Sequence, residues 1–278
     1  ELLCLLYAYR DMFTLTPKAP PLIEGIEHAL YFRYDDPFPV RRKIPKLSQE
    51  QMTHMSKDTK QLLRDHIIQF SDSEWATVPV FAKKKADPVT GVQSLRFCLD
   101  FRALNDLLIS DSQALPDIPT TLQSLGAAKR YSAFDACAGF WGVRLRAKDR
   151  KFTAFHAIMD GSWHLFEWLR MPFGIKTATA TFQRMFMKIM GRGECTCGHE
   201  PAGPMRQLEG HTRECISAAE SLINNICLIF VDDGCVYSKE EEDHINDLAK
   251  VFKRLVANRI TLKASKCSWA TDNLALLG

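Results

Sequence analysis

Ile226-Cys-Leu-Ile-Phe-Val-Asp-Asp-Gly-Cys-Val-Tyr237 is the stretch on which the reading of the fold turns. Its first six residues, Ile226 to Val231, are apolar and β-prone and predict a buried strand. Asp232-Asp233-Gly234 predicts a tight turn, and Cys235 to Tyr237 the return strand. Two carboxylates therefore stand side by side at the tip of an apolar hairpin. A charge beside a buried strand is costly unless something compensates it. Two adjacent carboxylates also oppose each other's ionisation, which a bound cation relieves. Asp-Asp-Gly is also an ordinary turn sequence, so the pair taken alone leaves a purely structural role open.

A third acid shifts that balance. Tyr131-Ser-Ala-Phe-Asp135 reads as a short strand that ends in a carboxylate. If this strand neighbours the hairpin in one sheet, three carboxylates converge at one edge. Such a cluster supplies the hard oxygen ligands that magnesium prefers. Two ions about 3.5–4 Å apart can clamp an in-line phosphoryl displacement. One lowers the pKa of an attacking hydroxyl; the other holds a triphosphate and offsets charge on the leaving pyrophosphate.

Outward from these acids, Thr177 to about Met190 predicts a helix with Phe182, Met185, Phe186 and Ile189 on one face. Glu240 to Asn258 predicts another, with Leu248, Val251, Phe252 and Leu255 inward. Phe152–Phe155 and His164–Leu169 are strand candidates. Thr77–Ala82 and Leu95–Phe101 form a hairpin pattern around a charged turn, Lys83 to Gly91. Ser48 to about Gln69 predicts a helix opened by a capping box, Ser48-Gln-Glu-Gln51. Residues 1 to about 47 read as a short apolar helix and a proline-broken loop wrapped on a body. Residues 191 to about 216 show no period and are rich in Gly, Cys, His and charge.

The composition is that of a globular protein: 278 residues, 46% hydrophobic and 25% charged, enough for one large or two small domains. A net charge of +3 does not by itself argue for nucleic acid. Arg41-Arg42-Lys43 reads as solvated surface, whereas Lys83-Lys84-Lys85 suits phosphate contact. Nine cysteines at irregular spacing argue against a disulfide framework and for a reducing compartment. The apolar start, Glu1 to Tyr9, is too short to span a bilayer and lacks the features of a signal peptide, so no membrane partner is expected. Without an initiator Met, the N-terminus reads as a cut or processed edge.

Many segments, in order, resemble the reverse transcriptases of the Ty3/gypsy class of LTR retroelements. They are Glu24-Gly-Ile-Glu-His28, Trp75-Ala-Thr-Val-Pro79, Leu95 through Asn105, Phe134-Asp135 with Gly139-Phe140, and Lys151-Phe-Thr-Ala-Phe155. Met171-Pro-Phe-Gly174, Ala180-Thr-Phe-Gln183, Phe230-Val-Asp-Asp233, Leu262-Lys263, Lys266-Cys267 and Leu277-Gly278 complete the series. The resemblance covers nearly the whole chain except about residues 191–220.

It implies an α+β right-hand polymerase fold, with a palm of antiparallel sheet backed by helices, a fingers subdomain, and a thumb largely missing. The implied layout is an N-terminal leader over 1–47 and mainly fingers over 48–130. The palm follows over 131–190, with a fingers portion near 150–170. An insertion loop over 191–220 precedes the C-terminal part of the palm, 221–278, cut before thumb and RNase H. Asp135, Asp232 and Asp233 are the implied catalytic acids, and with the carbonyl of Ala136 the implied metal ligands. Two Mg2+ ions are the implied cofactor, with Mn2+ as a substitute.

Lys84 and Arg96, facing each other across the fingers hairpin, suit a triphosphate, one as a point charge and one as a planar fork. Surface charge is their bland alternative. Phe140 stands where the family carries a bulky aromatic, and by that resemblance would stack under a sugar and clash with a 2′-hydroxyl; core packing is its alternative. Phe173 and Gly174 would line the nucleotide pocket. Phe230 and Gln183 are the implied primer or template contacts, with a helix-surface position equally open for Gln183. Three departures from the family pattern are Phe230 for a usual tyrosine, Thr179 for a usual proline and Gly234 for a usual apolar residue; none removes a metal ligand.

In the 191–220 insertion, Cys195, Cys197, His199, His211 and Cys215 are zinc-type ligands. Zinc there is not favoured over a surface loop or over sequence translated from degenerate DNA. The implied activity is RNA- and DNA-directed DNA synthesis on a primer 3′-hydroxyl for retroelement replication. Its partners are RNA or DNA template with primer and deoxynucleoside triphosphates, and its polyprotein neighbours protease, RNase H and integrase. The implied location is cytoplasmic, within retroelement particles, with the nucleus as the other possibility. An inactive nucleic-acid-binding remnant is the competing reading, and an RNA-dependent RNA polymerase is a third, against which Phe140 argues.

Overall fold

The computed structural model describes residues 1–14, 19–83, 91, 93, 95–112, 125, 126, 128–137, 139–191, 221–231 and 233–273. The chain divides into two compact units. The first comprises Glu1–Glu24, Ser112–Gly139 and Ala180–Gly278; the second comprises Gly25–Asp111 and Phe140–Thr179.

The first unit is built on a four-stranded antiparallel sheet in the order Cys227–Phe230, Asp233–Ser238, Arg130–Asp135, Ser268–Thr271. The apolar run expected to be a buried strand is one: Cys227, Leu228 and Ile229 are all buried. The turn differs from expectation. Phe230 pairs with Asp233, so Asp233 and Gly234 are strand residues rather than members of a turn. The reason is packing. Gly234 lies opposite Phe134, and a Cβ on it would fall 2.1 Å from Cζ of that buried ring. The glycine therefore serves close approach within the sheet and is not needed for a reversal. Val231 takes φ +55°, an uncommon conformation for a β-branched residue.

Helix His244–Ala257 covers one face of this sheet, with Leu248, Val251, Phe252 and Leu255 fully buried as expected. It starts later than the sequence suggests, because Glu240–Asp243 form turns ahead of it. Its first residue joins a buried polar chain. Ser132 Oγ lies 2.7 Å from His244 Nε2, and Ser238 Oγ lies 3.0 Å from Nδ1. Ser238 donates its own proton to Asp247 Oδ2 at 2.8 Å, so Nδ1 carries the imidazole proton and Nε2 accepts from Ser132. The Ala270 amide in turn donates to Ser132 Oγ.

Burial pushes the His244 pKa below its usual 6.5, against the opposing pull of Asp247, with Arg130 adding to the depression. A histidine with a depressed folded-state pKa contributes stability that is present above the unfolded value and lost as pH falls below it. Thermal melts between pH 7 and pH 5 are expected to show declining stability, with a shallower decline in His244→Gln. Equal slopes for both proteins would remove His244 as the cause.

Phe13–Thr14 pairs in parallel with Leu262–Lys263. Tyr9, Phe13, Phe252 and Trp269 form an edge-to-face cluster, with centroids 5.3–6.1 Å apart. Helix Ala178–Met190 buries Phe182, Met185, Phe186 and Ile189, as its pattern predicts.

The second unit holds a three-stranded antiparallel sheet, ordered Ile68–Phe70, Ser162–Trp168, Phe155–Met159, and a hairpin of Pro79–Lys83 with Leu95–Leu99. The capping box is formed as expected: Gln51 N–H donates to Ser48 Oγ, and Ser48 N–H to Gln51 Oε1 at 2.9 Å. The helix ends at Arg64, short of Gln69, because Ile68–Phe70 is drawn into the sheet; His66 turns the chain at φ +51°. Phe152 likewise belongs to the 3-10 helix Ala147–Thr153, and its strand starts only at Phe155. Asp149, buried in that helix, accepts from Leu30 N–H at 2.8 Å and from Arg146 Nε at 2.7 Å, which satisfies its charge.

Candidate active site

Asp135 is the last residue of Arg130–Asp135 and Asp233 the first of Asp233–Ser238, and the two are direct Cα partners. Directly opposed residues of an antiparallel pair have Cβ atoms about 4.5–5.5 Å apart on one face. Ser132 and Ser238 point to the face that carries His244. By the two-residue alternation, Asp135 and Asp233 project from the opposite face. The backbone just beyond Asp135 is fastened by a bridge from Ala136 to Leu262 and by the Cys137 amide, which donates to the Thr261 carbonyl at 2.8 Å. Asp232 lies outside the described residues, so of the three expected acids the structure brings two together.

Lys266 Nζ donates to Asp135 Oδ2 at 2.6 Å. Burial raises the Asp233 pKa, the neighbouring Asp135 charge raises it further, and Lys266 offsets part of the rise. An acid pair in register, one member half-desolvated and the other already holding an ammonium, has the chemistry of a cation site. Hard carboxylate oxygens are the ligand type that a divalent ion such as magnesium prefers. Among the described residues no group of three or more His, Cys, Asp or Glu is disposed to hold a metal. The expected zinc-type residues Cys195, Cys197, His199, His211 and Cys215 lie outside the described residues. A cavity of about 780 Å³ lined by Tyr9, Tyr237, Asp247 and Lys250, among others, lies toward the Ser238 end of the strand, away from the acids.

Gln183 corrects an expectation. It is fully buried, neither on a helix surface nor open to a template. Its Nε2 donates to the Ile229 carbonyl at 3.1 Å, and its Oε1 accepts from Val231 N–H at 2.9 Å. The side chain thus braces the backbone leading into Asp232 and holds Val231 in its positive-φ conformation. Its signal was present in the sequence: Gln183 shares a helical face with Phe186 and Met190, both buried. Phe230, half-buried, is the strand partner of Asp233.

In the second unit Arg96 is exposed on the hairpin, with Ala82 as its cross-strand partner. Lys84 lies outside the described residues. Phe140 is 6% exposed and stacks on Phe173 at 4.8 Å with planes 22° apart, while Phe173 is 48% exposed. Core packing therefore accounts for much of Phe140, and the ring surface offered to solvent is that of Phe173. Gly174 has φ +92°, which favours glycine. Its carbonyl accepts from Asn105 Nδ2 at 2.9 Å, and Asn105 Oδ1 accepts from Lys176 N–H at 2.9 Å. Asn105, quoted within a motif but given no role from sequence, is the clamp on this loop.

The family described as "Reverse transcriptase (RNA-dependent DNA polymerase)" matches residues 82–278. The chain belongs to that family. It is 27% identical over 224 residues to the retrovirus-related Pol polyprotein from transposon gypsy of Drosophila melanogaster, covering 81% of this chain and 18% of the relative. It is 26% identical over 270 residues to the corresponding polyprotein from transposon 412 of the same organism, covering 97% of this chain and 19% of the relative. The genome polyprotein of Petunia vein clearing virus is 27% identical over 240 residues, covering 86% of this chain and 9% of that protein. The likeness thus extends beyond gypsy-type transposons. The chain spans about a fifth of the length of the transposon polyproteins it matches.

Among solved structures, the foamy viral protease-reverse transcriptase in complex with RNA/DNA hybrid superposes with a TM-score of 0.74 at 18% identity, covering 100% of this chain and 32% of that one. The same protein in complex with dsDNA gives 0.72 at 19% identity, covering 100% of this chain and 49% of that one. The fold is the α+β palm-and-fingers fold of right-hand polymerases.

Proposed function

We propose that the chain is the polymerase part of a retroelement polyprotein and adds deoxynucleotides to a primer 3′-hydroxyl on an RNA or DNA template. The observation that supports this reading is the register pairing of Asp135 with Asp233, with the Lys266 ammonium seated on Asp135. The first unit is assigned as palm, and the hairpin of the second unit as fingers. Asp135, Asp232 and Asp233 would hold Mg2+, two ions being the expected number, with the Ala136 carbonyl assisting. The bound ions supply activation of the primer hydroxyl and charge neutralisation of the triphosphate.

The chain's own residues do the positioning. Asp135 and Asp233 project from one sheet face, and Asp233 is paired on both sides, with Phe230 and with Asp135. Gln183 holds the hairpin backbone beside them. Arg96 and Lys84 are assigned to the triphosphate, and Phe140, Phe173 and Gly174 to the base and sugar. The stacked Phe140–Phe173 pair gives a rigid surface against which a 2′-hydroxyl would clash. Protease, RNase H and integrase are the proposed neighbours in the full polyprotein, and a cytoplasmic retroelement particle is the proposed setting.

Primer extension with deoxynucleotides on an RNA template, by wild type and Asp232→Asn, tests the reading. Extension by wild type and none by the variant is expected. Equal signals from both proteins, or a preference for ribonucleotides, would contradict it.

A further inference from the structure

The short strand Leu262–Lys263 leads into the 3-10 turn Ala264–Lys266. That strand is held by Phe13–Thr14 and by the Ala136–Leu262 bridge, with the Thr261 carbonyl bonded to the Cys137 amide. The backbone that carries Lys266 is therefore anchored to the residues just after Asp135, and the ammonium is aimed at that carboxylate. Lys266 Nζ stands 2.6 Å from Asp135 Oδ2; the lysine side chain is 55% exposed and the aspartate 16%. One partner can withdraw into water and the other cannot.

We propose that Lys266 is a placeholder cation: without metal its ammonium occupies the Asp135 carboxylate, and a divalent ion binds there only by displacing it. This rests on the reading of Asp135 as a metal ligand. Displacement is feasible because a lysine ammonium is a compact, well-hydrated charge on a flexible stem. The same contact that steadies the metal-free acid pair must then weaken metal binding, since whatever stabilises the empty state is lost on loading. An arginine, with a planar fork matched to a carboxylate, would hold on more tightly than lysine.

The test is Mn2+ binding to the full chain by calorimetry, alongside metal-free melts. Lys266→Met is expected to bind Mn2+ about two- to fivefold more tightly, the range for loss of one partly exposed ion pair. Lys266→Arg, of unchanged charge, is expected to bind more weakly than wild type. The metal-free melting temperature of Lys266→Met is expected to fall and to recover when Mn2+ saturates. Lys263→Met removes a nearby charge that, among the described residues, forms no ion pair with Asp135, and serves as the control. If Lys266→Met gains no more than Lys263→Met, or if Lys266→Arg binds as tightly as wild type, displacement is refuted and only general electrostatics remains. Binding that Asp135→Asn leaves unaltered would instead overturn the metal-site reading itself, and this proposal with it.

Discussion

Asp135→Asn is expected to lower the rate of primer extension by about a thousandfold while leaving the protein folded. An amide keeps the shape of the carboxylate but not the charge, so the site loses one of its anionic ligands. Metal ligation supplies several kcal/mol of transition-state stabilisation, and ~4 kcal/mol corresponds to about three orders of magnitude in rate. The loss should appear in kcat rather than in nucleotide KM, because the interaction is strongest when charge develops on the reacting phosphate.

Stability should change little, for two opposing reasons. The variant loses the Lys266–Asp135 ion pair, but it also relieves Asp233 of the Asp135 charge that raises its pKa. An acid whose folded-state pKa is raised favours folding below its ordinary value of 3.8, and that advantage is lost as pH rises through the folded value. Removing Asp135 brings the Asp233 pKa closer to ordinary and returns some of what is lost near neutral pH. Single-turnover extension and a thermal melt, run together, check both halves. A fall in rate accompanied by global unfolding would attribute the effect to the fold and not to the chemistry.

Gly234→Ala is expected to be the most damaging of the small substitutions in this sheet. The added methyl would meet the Phe134 ring at 2.1–2.7 Å, and that ring is 2% exposed. Overpacking of this kind costs about 3 kcal/mol, or a fall in melting temperature of roughly 5–10 °C for a chain of this size. Activity should fall too, because Phe134 is the neighbour of Asp135 and any shift of its strand moves the carboxylate. Shortening the ring, in Gly234→Ala with Phe134→Leu, should recover part of the stability. A single variant that melts like wild type would mean that the ring can yield, and that Gly234 is not there for close approach.

The same glycine illustrates how far the sequence could be read. Asp-Asp-Gly has the composition of a turn, and local chemistry alone favours that reading. What decides otherwise is the pairing of Gly234 with Phe134, a contact between residues a hundred positions apart that no local pattern records. The acids were legible for the opposite reason. Asp135 ends one short apolar strand and the Asp232–Asp233 pair follows another apolar run, and a charge in such a place calls for a partner whatever the register; that Asp135 stands directly across from Asp233 came only with the sheet.

Gln183 misled because amides are usually exposed, whereas this one satisfies two backbone groups that the hairpin leaves without ladder partners. The sequence pattern overextends the helix from Gln49 because Ile67 continues its apolar stripe, although Ile68 already pairs with Trp168. The two large helices of the first unit were legible throughout their buried faces, since a 3.6-residue period over several turns is hard to produce otherwise.

The central claim, that these carboxylates form one cradle for divalent ions, is tested most directly by anomalous diffraction from crystals of the full chain equilibrated with Mn2+. A manganese peak is expected within about 2.0–2.3 Å of a carboxylate oxygen of Asp135 and of an oxygen from the 232–233 pair, with Lys266 Nζ withdrawn from Asp135. Manganese bound only elsewhere, with Lys266 still seated on the Asp135 carboxylate at saturating metal, would contradict the account.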